Sequence, residues 1–171
     1  MITIREDIQE THTFSLLVDN EAGVLARVIG LFSGRGYNIE SLTVAEVDKD
    51  SHTSRITIVS KGSPKTIDQI KNHLERLVPV HKVTDLTVEG PSVEREMALV
   101  KVLYTNENKE EILRLVEIYR AKIVDTTDKS FVFELTGAMD KINSFIDLLH
   151  PLGLNDISRT GLAAIARGSK N

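Results

Sequence analysis

The sequence predicts an α+β fold made of two units in tandem, each running strand–helix–strand–strand–helix–strand. Three observations carry that prediction. Alternating β-rich runs and amphipathic helical runs follow one another in this order twice. Gly90-Pro91-Ser92 breaks the chain between the two rounds. The length, 171 residues, suits one sizeable domain or two small ones.

The first round begins with His12 to Val18 (HTFSLLV), which alternates and reads as a strand. Asp19 or Asn20 is placed to cap a following helix. In that helix Leu25, Val28, Ile29 and Phe32 recur at i, i+3, i+4, i+7 and mark one apolar face, and Gly34 and Gly36 stop it. Ile39 to Val47 and Ser54 to Ser60 are strands joined by the turn Asp48-Lys49-Asp50-Ser51. Pro64 opens a second helix with Ile67, Ile70, Leu74 and Leu77 on its inner face, and Pro79 ends it. Val80 to Val88 is a fourth strand.

The second round starts with the strand Met97 to Tyr104 (MALVKVLY). Glu110 to Arg120 is a helix with Ile112, Leu115, Val116 and Tyr119 inward. Ala121 to Thr126 and Phe131 to Thr136 are strands around Asp128-Lys129. Ile142, Phe145, Ile146 and Leu149 mark another helix, ended by Pro151 and Gly153, and residues 154 to 167 supply a last strand. The expected organisation is an N-terminal extension over 1–11, a first unit over 12–89 and a second over 90–171. Each unit is an antiparallel sheet with both helices on one face. A unit of this size buries little surface alone, so the other sheet face needs a cover or solvent. Along residues 41–47, Leu42, Val44 and Glu46 fall on one side and Ser41, Thr43, Ala45 and Val47 on the other. Neither side is strongly charged, which favours pairing with a second copy and predicts a homodimer.

Composition narrows the function classes. The chain is 41% apolar and 27% charged, a soluble globular balance. Only 5% of residues are aromatic and tryptophan is absent, so an aliphatic core is expected. With no cysteine there is no disulfide, thiolate metal site or cysteine nucleophile, which suits a cytoplasmic location. A net charge of −4 with scattered Lys and Arg gives no reason to expect nucleic acid. No apolar run reaches the ~18 residues of a membrane span, and MITIREDIQE is too polar for a signal peptide.

Catalytic patterns are missing. His12, His52, His73, His81 and His150 form neither HExxH nor HxH. Gly34-Arg35-Gly36 closes a helix and leads into a strand, the reverse of a dinucleotide fingerprint. Glu94 to Glu96 and Glu107 to Glu111 read as solvated charge runs. Two polar, glycine-bearing joints remain, Asp19 to Gly23 and Gly34 to Asn38. Turn and cap chemistry accounts for them simply. A sharper reading is also open. A helix start offers unpaired N–H groups to a carboxylate, and Gly23 lets a ligand approach the backbone. Asn20 and Asn38 each carry a donor and an acceptor suited to a free amino acid, with Leu25 and Ile39 as an apolar wall.

The run Asn20-Glu21-Ala22-Gly23-Val24-Leu25-Ala26-Arg27-Val28, followed by Arg35-Gly36-Tyr37-Asn38-Ile39-Glu40-Ser41-Leu42-Thr43-Val44, resembles the ACT domain of small, regulatory subunits of acetohydroxyacid synthase, also called acetolactate synthase. Val93 to Lys101 is similar to that family's interdomain segment, and Arg159 to Gly168 (RTGLAAIARG) to its C-terminal signature. The likeness spans about residues 12 to 168. It implies two ferredoxin-like units, the first an ACT domain, in a chain that is not itself an enzyme and carries no cofactor. It further implies a large catalytic partner that uses thiamine diphosphate, a divalent metal and FAD to make acetolactate, on the route to valine, leucine and isoleucine. The small subunit is expected to activate that partner and to confer feedback inhibition by valine, bound between two ACT domains. The resemblance carries the effector contacts to Asn20, Gly23, Val24 and Leu25 of one chain, with Asn38 and Ile39 completing the pocket from the other. Ala22 and Ala26 stand where small hydroxyl residues are frequent in this family, and the eleven residues ahead of the first core strand exceed what many relatives have.

Two other readings compete. An amino-acid-sensing transcription regulator with ACT-like domains needs a DNA-binding element, yet the two units use the whole chain. A small metabolic enzyme of the same fold needs a titratable cluster that the sequence does not offer.

Overall fold

The computed structural model describes residues 8–168. The architecture is α+β, with two antiparallel sheets. Contacts divide the chain into two compact units, one holding residues up to Val93 together with those from Leu162, the other Glu94–Gly161.

The first unit runs β1 (Glu10–Asp19), α1 (Val24–Arg35), β2 (Ser41–Asp48), β3 (Thr53–Gly62), α2 (Pro64–Glu75) and β4 (Val80–Asp85). Its sheet has the order β2-β3-β1-β4, so β1 and β3 are central and β2 is an edge. Strand periodicity decides what each face carries. Phe14, Leu16 and Val18 of β1 lie beside Ile58 and Ile56 of β3 on one face. Val28 and Phe32 of α1 and Ile67, Ile70 and Leu74 of α2 complete that core. Pro64 occupies the first turn of α2, and the Ser63 hydroxyl caps it by accepting from the Thr66 N–H at 3.2 Å.

The inner face of α1 differs from the sequence expectation. Val24, Val28 and Phe32 are buried, whereas Leu25 and Ile29 are 37% and 38% exposed. An apolar stripe wider than the core contact leaves its flank uncovered, and periodicity alone does not say which flank. β1 also starts two residues earlier than expected, at Glu10. The rest of the expected 1–11 extension lies largely outside the described residues.

The opposite face of the same sheet carries small buried residues beside the larger Leu17 and Arg55. Thr13, Ser15, Thr57 and Val59 are buried there. Their cover is β9 (Ala163–Ala166), whose Cα atoms come within 8 Å of β1. β1 has strand neighbours on both edges and helices over its other face, so β9 reaches it only from this side. The approach is closer than the ~10 Å of ordinary sheet stacking, which suits the alanines of β9. Leu162 and Ala164 are buried, the Leu162 N–H donates to Ser41 Oγ at 2.9 Å, and the Arg167 N–H donates to the Pro91 carbonyl at 2.8 Å. The expected second unit over 90–171 therefore ends sooner, because residues from Leu162 onward return to the first. The single last strand expected over 154–167 is two strands, interrupted around Gly161 at φ 83°.

The second unit holds most of β5 (Ser92–Leu103), then α3 (Lys109–Tyr119), β6 (Lys122–Thr126), β7 (Ser130–Gly137), α4 (Met139–Leu149) and β8 (Leu154–Arg159). The strand order β6-β7-β5-β8 repeats that of the first sheet. Ala98, Val100 and Val102 of β5 pack with Phe133 and Leu135 of β7, Ile112 and Val116 of α3, and Ile142, Phe145 and Leu149 of α4. The cores are not purely aliphatic. All five phenylalanines are buried, and Phe133 meets Phe145 edge-on with centroids 6.3 Å apart. Arg159 clamps β8 to β5 by donating Nε–H and Nη2–H to the buried Glu96 carboxylate at 2.6 and 2.7 Å. Gly153 has φ 102°, and a Cβ there would stand 2.1 Å from the Leu103 carbonyl oxygen, so only glycine fits.

Candidate functional site

Both polar joints belong to the first unit and flank α1. At its start, β1 ends with backbone bonds to its neighbours: the Asp19 N–H donates to the Pro79 carbonyl at 2.9 Å and the Asn20 N–H to the His52 carbonyl at 2.7 Å. These bonds fix the strand end and leave the Asn20 side chain exposed, where Nδ2–H donates to Glu46 Oε1 at 3.0 Å. Beside it, His81 Nε2–H donates to Asp19 Oδ1 at 2.5 Å. The β2–β3 turn is tightened by Asp48, whose carboxylate accepts from Ser51 Oγ–H at 2.7 Å and the Asp50 N–H at 3.0 Å. The Ser51 hydroxyl, followed by the Ser51 and Asp50 amides, holds the Asp48 carboxyl below its ordinary range.

Neither Asp19 nor Asn20 caps α1. The cap residue is Gly23, at φ 87°, with no side-chain hydrogen bond and no acidic residue in the first turn. That φ explains the glycine as turn chemistry. It also leaves the positive end of the helix without a side-chain acceptor, so the Leu25 and Ala26 amides that follow keep donor capacity. The Val24 side chain is buried in the core and its N–H donates to the Glu21 carbonyl at 3.3 Å, while Leu25 projects outward.

At the other end, Gly36 adopts φ 68° and closes the helix, with the Tyr37 N–H donating to the Phe32 carbonyl at 2.9 Å. Tyr37 turns inward, edge-on to Phe32, with its hydroxyl 3.1 Å from His73 Nδ1. Asn38 is exposed and Ile39 is half-buried against the core. The buried Ser60 hydroxyl donates to the Asn38 carbonyl at 2.5 Å, and the Glu40 N–H to the Val59 carbonyl at 2.8 Å. Asn38 is thus held through its backbone while its amide side chain stays free to point outward.

The six residues expected to bind an effector fall into two groups. Asn20, Gly23, Val24 and Leu25 lie at the start of α1, and Asn38 and Ile39 follow its end. The helix has 12 residues, about 18 Å at ~1.5 Å per residue. One small ligand does not span that distance within a single chain. Sequence reasoning missed Glu46, His52 and His81 around the first joint and Ser60 behind the second. The strand register that aligns Glu46 with Ser54 would have placed Glu46 near the strand end, had the β2–β3 turn been fixed residue by residue. Among the described residues no three His, Asp or Glu side chains gather as a metal site. No helix among them is long and apolar enough to cross a membrane.

Comparison with known proteins covers both units. Residues 14–82 match the family model of the AHAS small subunit-like ACT domain, and residues 95–168 match that of the small subunit of acetolactate synthase. The chain is 46% identical over 159 residues to a probable acetolactate synthase small subunit of Archaeoglobus fulgidus, covering 93% of this chain and 98% of that protein. It is 46% identical to the acetolactate synthase small subunit of Haemophilus influenzae, covering 92% and 96%. The crystal structure of the Thermotoga maritima acetolactate synthase small subunit superposes with a TM-score of 0.81 at 44% identity, covering 94% of this chain and 99% of that one.

Proposed function

This chain belongs to the family of acetolactate synthase small subunits, regulatory rather than catalytic chains, and we propose that it senses a branched-chain amino acid between the first units of two copies. Membership of the family implies a large catalytic partner. The small subunit activates that partner and makes it responsive to valine. Thiamine diphosphate, a divalent metal and FAD would belong to the large subunit, in the cytoplasm.

One observation supports this reading above the others: the two joints sit at opposite ends of a single 12-residue helix. A chain and its symmetric copy, joined in an isologous dimer, bring the start of one α1 toward the end of the other. The uncapped first turn at Gly23 receives the effector carboxylate, and the Asn20 and Asn38 amides supply donors and acceptors for carboxylate and ammonium. Leu25 and Ile39 flank the aliphatic side chain. β2 suits the role of dimer edge. It is an edge strand with exposed Val44 and Val47, 42% and 51% accessible, and no proline.

Thermal unfolding with valine, leucine, isoleucine and unrelated amino acids tests the reading. An effector at a hundred times its Kd stabilises by about 2.7 kcal/mol, which moves the midpoint by several degrees. A shift confined to branched-chain amino acids is the expected result. No shift with any of them, in the free chain or with the large subunit added, would overturn the effector site.

A further inference from the structure

We infer that the Ser41 hydroxyl is a positioning group that links the Asn38 joint to the C-terminal segment, and so carries the effector signal out of the first unit. The inference rests on the effector reading above and adds its route of transmission.

Asn38 lies three residues before Ser41, the first residue of β2, and between them Ile39 packs on the core and the Glu40 N–H donates to the Val59 carbonyl at 2.8 Å. A shift of the Asn38 joint is therefore passed to Ser41 with little slack. Ser41 lies on the small-residue face of the sheet, where its Oγ accepts the Leu162 N–H at 2.9 Å. Leu162 is 1% exposed, so this N–H has no water to fall back on and the bond is costly to lose. Beyond it the chain passes through Gly161, at φ 83°, to Thr160. Thr160 is fastened to β5: its N–H donates to the Met97 carbonyl at 3.0 Å, and its Oγ accepts the Met97 N–H at 3.1 Å. Arg159, one residue further, holds the buried Glu96. Ser41 is thus tied at one end to the effector joint and, through a single peptide run, to the central strand of the second unit.

Coupling of this kind needs the effector to favour one arrangement of Ser41 over another. It is read by amide hydrogen exchange of the full-length protein, with and without saturating valine. In the parent protein valine is expected to slow exchange across residues 160–166 severalfold. In Ser41→Ala the Leu162 amide exchanges about fivefold faster, the size of one lost hydrogen bond. In that variant the valine effect on 160–166 disappears while the valine thermal shift persists. Ser41→Thr, which keeps the hydroxyl and suits a strand, restores the effect. Should Ser41→Ala fail to fold, Ser41→Cys keeps the volume, supplies only a weak acceptor, and is expected to behave as the alanine variant. A parent protein that shows the valine thermal shift but no change over 160–166 overturns the inference and leaves the site intact. So does a Ser41→Ala protein that keeps the full exchange response. Absence of any thermal shift removes the site itself, and the inference with it.

Discussion

At the scale of single residues, the two joints separate conformational duties from the recognition duties proposed for them. A Cβ on Gly23 would meet no atom within 4 Å, so space does not exclude a side chain there; its φ of 87° sets the cost. A non-glycine residue in that region costs roughly 1–2 kcal/mol, and aspartate tolerates it better than most. Gly23→Asp is therefore expected to fold and to lose the valine response, because the new carboxylate would lie where the proposed site takes the effector's carboxylate. Asn38→Ala removes an exposed side chain and leaves the backbone bond from Ser60 in place. It is expected to weaken valine while preserving activation of the large subunit. Inhibition and activation assays with that partner check both variants. Unchanged valine sensitivity in Gly23→Asp would move the site elsewhere, and joint loss of both activities in Asn38→Ala would show that they share a surface.

At the scale of elements, the fold is legible in the sequence wherever one face of a helix or strand meets one core. The inner residues of α2, Ile67, Ile70 and Leu74, follow directly from their spacing. α1 is less legible because it has two apolar flanks, one on the core and one bearing Leu25 and Ile29. The expected cap at Asn20 does not form because Gly23, in the left-handed region, turns the chain into the helix without a side-chain acceptor. Residue chemistry leaves a binding reading of the two joints open, the family resemblance names the six candidate residues, and their split between two ends of a helix comes from geometry. α2 is tied to the turn after β4 by Lys71, whose Nζ–H donates to Glu89 Oε1 at 2.9 Å. The Lys71 hydrogen bond, then the Asp85 amide, holds the Glu89 carboxyl below its ordinary 4.5. A carboxyl lowered in the fold contributes stability that is complete above its unfolded value and lost as the pH falls below it. Both side chains are about a third or more exposed, so the effect is at most about 1 kcal/mol. Urea denaturation of Glu89→Gln is expected to show a small deficit at pH 7 that vanishes toward pH 3. A deficit independent of pH would rule out the ion pair as its source.

At the scale of the whole molecule, the return of the C-terminal segment to the first unit is not legible in the sequence. Gly161-Leu162-Ala163-Ala164-Ile165-Ala166 is short, rich in alanine, and lacks the alternation that announces a strand. Only the buried hydroxyl face over Thr13, Ser15 and Thr57 explains why small residues are needed there. A chain ending at Gly161 would uncover that face and lose the burial of Leu162. Burying one leucine contributes about 1.5–3 kcal/mol, so the first unit is expected to melt roughly 10 °C lower. Amide exchange across β1 and β3 during heating checks this, and an unchanged midpoint would mean that the segment lies on the sheet without supporting it. The same discontinuity bears on how the protein is made. Synthesis proceeds from the N-terminus at ~5–20 residues per second, and domains usually fold as they emerge. Here the unit translated first cannot be finished until residues 162–166 leave the ribosome. For several seconds its hydroxyl-lined face stays open, and that interval is when a nascent chain is most exposed to chaperones or to a neighbour on the same message.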